Sequence, residues 1–142
     1  MNTIRSSFWS QGSARVAARI AQLALGFLLV AGAAHADDRT ALLGTWHDEQ
    51  KMEGTTLTSD VTFAKDGTFS GYVDQNGRRV WNFGGKWTLT GKALHYDYTK
   101  SDSPQIPAGT KDHDVVLEVT PTKLKLKAQT GEETTMVRKG KG

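Results

Sequence analysis

From Leu42 to the end of the chain, apolar residues recur with a period of two, and turn residues break the pattern at short intervals. Side chains alternate between the two faces of a strand, so this pattern describes half-buried strands joined by tight turns. An apolar stripe at helical spacing never lasts more than about one turn, so helix is expected to be scarce. The strand pattern therefore points to an all-β antiparallel sandwich or barrel.

Eight strands are predicted. The first runs over Leu42 to Asp48, and a polar connection from Glu49 to Gly54 leads to a second over Thr56 to Ala64. Leu57, Val61 and Phe63 share one face of that second strand, with Thr58, Asp60 and Thr62 on the other. Lys65, Asp66 and Gly67 turn the chain into strand three, Thr68 to Asp74, where Phe69, Gly71 and Val73 oppose Ser70 and Tyr72. Asn76 and Gly77 form the strongest hairpin signal in the chain. Strand four, Arg79 to Leu89, keeps Trp81, Phe83, Gly85, Trp87 and Leu89 on one face, and Gly84 with Gly85 allows a sharp bend at its middle. Strand five covers Ala93 to Thr99, and Lys100 to Lys111, with Pro104, Pro107 and Gly109, is the longest loop. Loops of that length are often functional or mobile. Strands six to eight follow over Asp114 to Thr120, Lys123 to Ala128 and Glu133 to Arg138. Eight strands joined mostly by hairpins predict an up-and-down antiparallel β-barrel, which leaves no exposed sheet edge. Such a barrel is either filled by its own side chains or holds one small ligand.

Residues 1–36 stand apart from this pattern and have the three-part form of an export signal. Arg5, Arg15 and Arg19 supply the positive region, an apolar run extends from Ile20 to Ala34, and Ala34, His35 and Ala36 give the small-x-small cleavage pattern. The run is shorter than the roughly 20 apolar residues that span a bilayer. Cleavage after Ala36 is expected, leaving one domain over residues 37–142 in the periplasm or the extracellular medium, with no stable membrane insertion. Asp37 to Ala41 reads as a mobile polar lead-in.

The leader carries three of the 18 basic residues and none of the 15 acidic ones, so residues 37–142 hold 15 of each. This balance removes the electrostatic argument for a nucleic-acid partner. The chain has no Cys. An internal disulfide and a lipid-anchored N-terminal Cys are thereby excluded, and the domain must be held by its core alone.

Gly44, Thr45 and Trp46, the hairpin Phe63, Lys65, Asp66, Gly67, Thr68, Phe69, and the run Gly85, Lys86, Trp87, Thr88, Leu89 leading into Gly91 and Leu94 resemble the small bacterial lipocalin-like proteins of the calycin group. The resemblance spans nearly all of residues 37–142 and implies an eight-stranded lipocalin-like barrel. It also implies that a first-strand Trp packs across one barrel end beneath an Arg of the last strand. Trp46 and Arg138 match those positions and, with Gly44, mark the fold. The chain is shorter than a typical lipocalin, which argues against a deep pocket. The opening also resembles avidins, but the polar biotin contacts of that group have no match further along.

Seven aromatic residues, Trp81, Phe83, Trp87, Tyr96, Tyr98, Phe63 and Phe69, are the candidates for lining an apolar cavity, and equally the material of a packed core. His47, His95 and His113 have no recognised metal spacing, so no metal site and no cofactor are expected. Ser59, Ser70, Ser101 and Ser103 lack the context of an activated nucleophile, which argues against an enzyme. Lys123, Lys125 and Lys127 alternate with apolar residues and read as a solvated face. Two functions follow as expectations. The first is an exported barrel that holds a small apolar or amphipathic molecule inside. The alternative is a closed barrel that binds a protein, such as a periplasmic protease or lysozyme inhibitor, with Asp37 to Ala41 as an inserted arm.

Overall fold

The computed structural model describes residues 36–140. Apart from Ala36, the leader assigned to residues 1–36 lies outside the described residues. The elements are α1 Ala36–Leu42, β1 Gly44–Met52, β2 Thr55–Phe63, β3 Thr68–Gln75, β4 Arg78–Thr90, β5 Ala93–Ser101, β6 Lys111–Val119, β7 Lys123–Ala128 and β8 Glu133–Arg138. Every strand pairs antiparallel with its sequence neighbour, and β1 closes on β8 through Trp46 opposite Arg138 and His47 opposite Val137. The product is a closed eight-stranded up-and-down antiparallel barrel, the architecture expected from the alternation and the hairpins.

Alternation places one residue set inside. Trp46, Val61, Phe63, Phe69, Val73, Phe83, Trp87, Leu94, Tyr96, Tyr98, Val116, Leu124, Leu126 and Met136 form a single buried core. The turns follow from local chemistry. Asn76 and Gly77 both adopt positive φ, 50° and 80°, which a two-residue hairpin requires. In β4 the register against β5 shifts between Gly84 and Gly85. A Cβ on Gly85 would collide with the Asp97 carbonyl oxygen, so the missing side chain lets β5 cross close to the bend.

Three expectations are corrected at the chain ends and loops. Leu42 belongs to α1 and not to the first strand, because it is fully buried as a plug and its carbonyl accepts the Trp46 indole N–H at 2.8 Å. Asp37 to Ala41, expected as a mobile polar lead-in, is helical. Two of the carbonyls at the helix end are satisfied by Arg138, whose Nη1 and Nη2 donate to Leu43 and Ala41 at 2.5 and 2.7 Å. The same guanidinium lies 4.2 Å from the centre of the Trp46 ring, the stacking implied by the resemblance. Arg39 covers Trp87 in the same way at 4.3 Å. Third, the segment after β5 is shorter than expected and folded inward: Ile106 and Ser103 are buried, and Ile106 joins the core. In an antiparallel meander α1 and this loop fall at opposite ends, and each adds a buried side chain, Leu42 and Ile106, to the core.

Candidate functional site

The seven aromatic candidates separate into two groups. Phe63, Phe69, Phe83, Tyr96 and Tyr98 are buried and pack ring against ring, as in Phe69 with Tyr98 at 5.2 Å and 89°. Trp87 meets Phe63 edge-on at 5.3 Å and donates its indole N–H to the Ala64 carbonyl at 3.1 Å. Trp81 is half-buried, across from Val73 and packed against the edge of the core. The void among the central rings, lined also by Val61, Leu126 and Met136, is about 10 Å³. That is about the space of one water molecule, far below a ligand pocket of roughly 300 Å³ or more. Toward one mouth the inner wall turns polar: Gln50 donates to Asp48 at 3.1 Å, and burial pushes the Asp48 carboxyl above its ordinary range despite that hydrogen bond. Gln50 Oε1 is buried without a protein partner.

The outside of the barrel carries a wide open concavity. It covers about 650 Å³ over β1 to β4 and is lined by Thr45, Asp60, Thr62, Ser70, Gly71, Tyr72, Asn82, Phe83 and Lys139. A second hollow of about 640 Å³ over the β4 bend runs into it through Ser70 and Asn82. Register builds the centre of this surface. His47 pairs with Asp60 and Asp60 with Tyr72, so outward-pointing side chains of three adjacent strands form one row. Val137 and Asn82 extend the row on either side.

Asp60 is the hub of the row. It is only 5% exposed although it points outward, because three donors cover it. His47 Nδ1 lies 2.6 Å from one carboxylate oxygen, while the Tyr72 hydroxyl and Lys139 Nζ each donate to the other at 2.5 Å. Burial alone pushes this carboxyl up, and the hydrogen bonds from Lys139, Tyr72 and His47 outweigh it, so the group is held below its ordinary range. The same contacts raise Lys139 above its ordinary value. An ionised carboxylate only accepts, so Nδ1 of His47 carries the proton in this contact. The flank is equally ordered. Arg79 lies 3.5 Å over the Tyr72 ring and donates to Asp74 and Asn82 at 2.6 and 3.1 Å. Asn82 is clamped by Asp102 through its backbone and side-chain nitrogens, bonds that hold the Asp102 carboxyl below its usual range. The surface thus offers the His47 ring and the Lys139 cation, both held by Asp60, and the Thr45 and Thr62 hydroxyls, bonded to each other at 2.7 Å, beside Ser70.

His47, expected to be an unliganded surface residue, is therefore part of this network, while Asp60, Tyr72 and Lys139 carried no motif. The sequence signal of Asp60 and Tyr72 is outward parity on neighbouring strands, which register joins, whereas Lys139 lies in the tail after β8, expected to be frayed, and reaches Asp60 from there. His95 and His113 face each other on the outer side of β5 and β6. In the lysine row of β7, Lys123 pairs with Glu118 at 3.1 Å and Lys125 with Glu133 at 3.7 Å, as befits a solvated face. No helix among the described residues is long and apolar enough to cross a membrane.

No protein-family model matches the sequence, and no curated protein matches it. Among solved structures the chain is similar to a lipocalin-like protein from Bacteroides uniformis ATCC 8492, with 16% identity and a TM-score of 0.40, over 70% of this chain and 99% of that one.

Proposed function

We propose that this chain is an exported binding protein that works from the outside of a closed barrel, through the polar concavity centred on Asp60. The observation that carries this reading is the contrast in free space: about 10 Å³ among the core rings against about 650 Å³ on the outer face. Preorganised polar groups bind more tightly because their ordering cost is met on folding. An occupant that suits the concavity places an acceptor beside Lys139 and hydrogen-bonds the hydroxyls of Thr45, Thr62 and Ser70. A polar loop of a protein partner satisfies both, which makes this the protein-interaction reading and not the interior-ligand one. The role is binding without chemistry. The helical Asp37 to Ala41 is no extended arm, so the inserted-arm mechanism is set aside.

Native mass spectrometry of the protein purified from its own host tests the proposal. A retained partner should be present with the wild type and lost with His47→Ala and Tyr72→Phe, with circular dichroism verifying that each variant is folded. A small lipophilic molecule retained equally by all three would refute it and favour a second reading. That reading, a small apolar or amphipathic ligand inside the barrel, draws on the apolar lining of the central void and on the unpartnered Gln50 Oε1, an acceptor waiting for a donor. It requires the packed interior to open.

A further inference from the structure

We propose that His95 and His113 form a two-imidazole clip for a late first-row divalent metal ion, such as Zn(II), Ni(II) or Cu(II), on the outer face of β5 and β6. The site is independent of the Asp60 surface, which lies on β1 to β4.

Hydrogen-bond phase sets the geometry. The Val116 N–H donates to the Lys92 carbonyl at 2.8 Å, one residue beyond the pair Ala93 and Val115 on each strand. That bond marks Ala93 and Val115 as a non-hydrogen-bonded pair. Because the two kinds of pair alternate, His95 opposite His113 is also non-hydrogen-bonded, the kind in which side chains stand closest. The ring centroids are 5.7 Å apart with the planes tilted by 41°. Two imidazoles on one tetrahedral ion, with Zn–N bonds of about 2.0–2.1 Å, place their centroids roughly 5 Å apart. A small rotation of the exposed His95 ring closes the difference.

His95 lines a shallow concavity of about 370 Å³ together with Thr88, Asp97, Asp112 and the lysines Lys86 and Lys111. The neighbouring rung is the exposed ion pair of Lys111 with Asp97 at 3.1 Å, a weak contact that leaves the carboxylate available as an outer-sphere acceptor. Among the described residues no three His, Cys, Asp or Glu side chains converge to hold a metal. The protein therefore supplies two nitrogens and solvent fills the remaining positions. Imidazole donors select Zn, Cu and Ni over Mg and Ca.

The test uses the full chain without a polyhistidine tag. Isothermal titration with zinc chloride should give one ion per chain, and His95→Ala and His113→Ala should each weaken binding at least 10-fold. Both positions lie on the outer face, and unchanged near-ultraviolet circular dichroism verifies that each variant is folded. With copper chloride, electron paramagnetic resonance should resolve hyperfine coupling to two imidazole nitrogens. The proposal is overturned by absence of binding, by binding that survives either substitution, or by coupling to a single nitrogen.

Discussion

A carboxylate on the outer wall of a small barrel ordinarily stays in water, whereas Asp60 sits beneath His47, Tyr72 and Lys139. Removing its charge leaves three donors aimed at a group that no longer accepts them fully, and buried networks broken in this way cost about 1–3 kcal/mol. Asp60→Asn should therefore destabilise the protein by about 2 kcal/mol at pH 7, measured by urea unfolding. The pH dependence has a definite sign. The folded carboxyl lies below its ordinary value of 3.8, so the folded state binds this proton less readily than the unfolded chain. Its contribution is fully present above the unfolded value and fades as pH falls through the folded one. The gap between wild type and variant should shrink as pH falls below about 4. A gap that stays level down to pH 3 would show that shape, and not charge, holds the network.

At the scale of elements, the two closing devices are the β4 bend and the α1 plug. Gly85 allows the bend because the Asp97 backbone occupies the space a side chain would take, and backbone cannot swing aside as a flexible side chain can. Gly85→Ala should thus lower the melting temperature more than Gly77→Ala, where a Cβ meets nothing and only the positive φ is penalised, at about 1 kcal/mol. Equal shifts would contradict the close crossing. Trp46→Ala removes the floor under Arg138 and Leu42 and should cost about 3–5 kcal/mol in the same unfolding experiment. These elements also show what the sequence could reveal. β7 and β8 match their expected ranges because each is a clean alternation bounded by turn residues. β1 continues past Asp48 to Met52 because its inner face turns polar there, with Asp48 and Gln50 pointing inward, and hydrophobic parity does not register such residues. Leu42 was assigned to a strand because apolar character says nothing about backbone geometry. The helix exists through tertiary bonds from Arg138, 95 residues away from Leu43. The Asp60 row was invisible for the same reason: it is made by register between three strands, and no single window contains it.

For the whole molecule, the decisive property is that the barrel is filled. Closure on β8 leaves no edge to recruit a strand, Leu42 of α1 and Ile106 join the core from the two ends, and the aromatic rings occupy the centre. Phe69 is the ring to remove, since it touches Phe83, Tyr96 and Tyr98 at once. Phe69→Ala should cost about 3–5 kcal/mol, because the surrounding rings collapse only in part into the space left behind. The resulting cavity is apolar on all sides, and dry apolar cavities take up small apolar molecules. Benzene should therefore raise the melting temperature of the variant, through binding to the folded state alone, while leaving the wild type unmoved. Phe69→Leu, a milder truncation, should give the same ordering with a smaller stability loss. If benzene or a longer-chain lipophile stabilises the wild type as strongly as the variant, the interior opens in solution. Function would then return to the aromatic core and leave the outer concavity as a structural network.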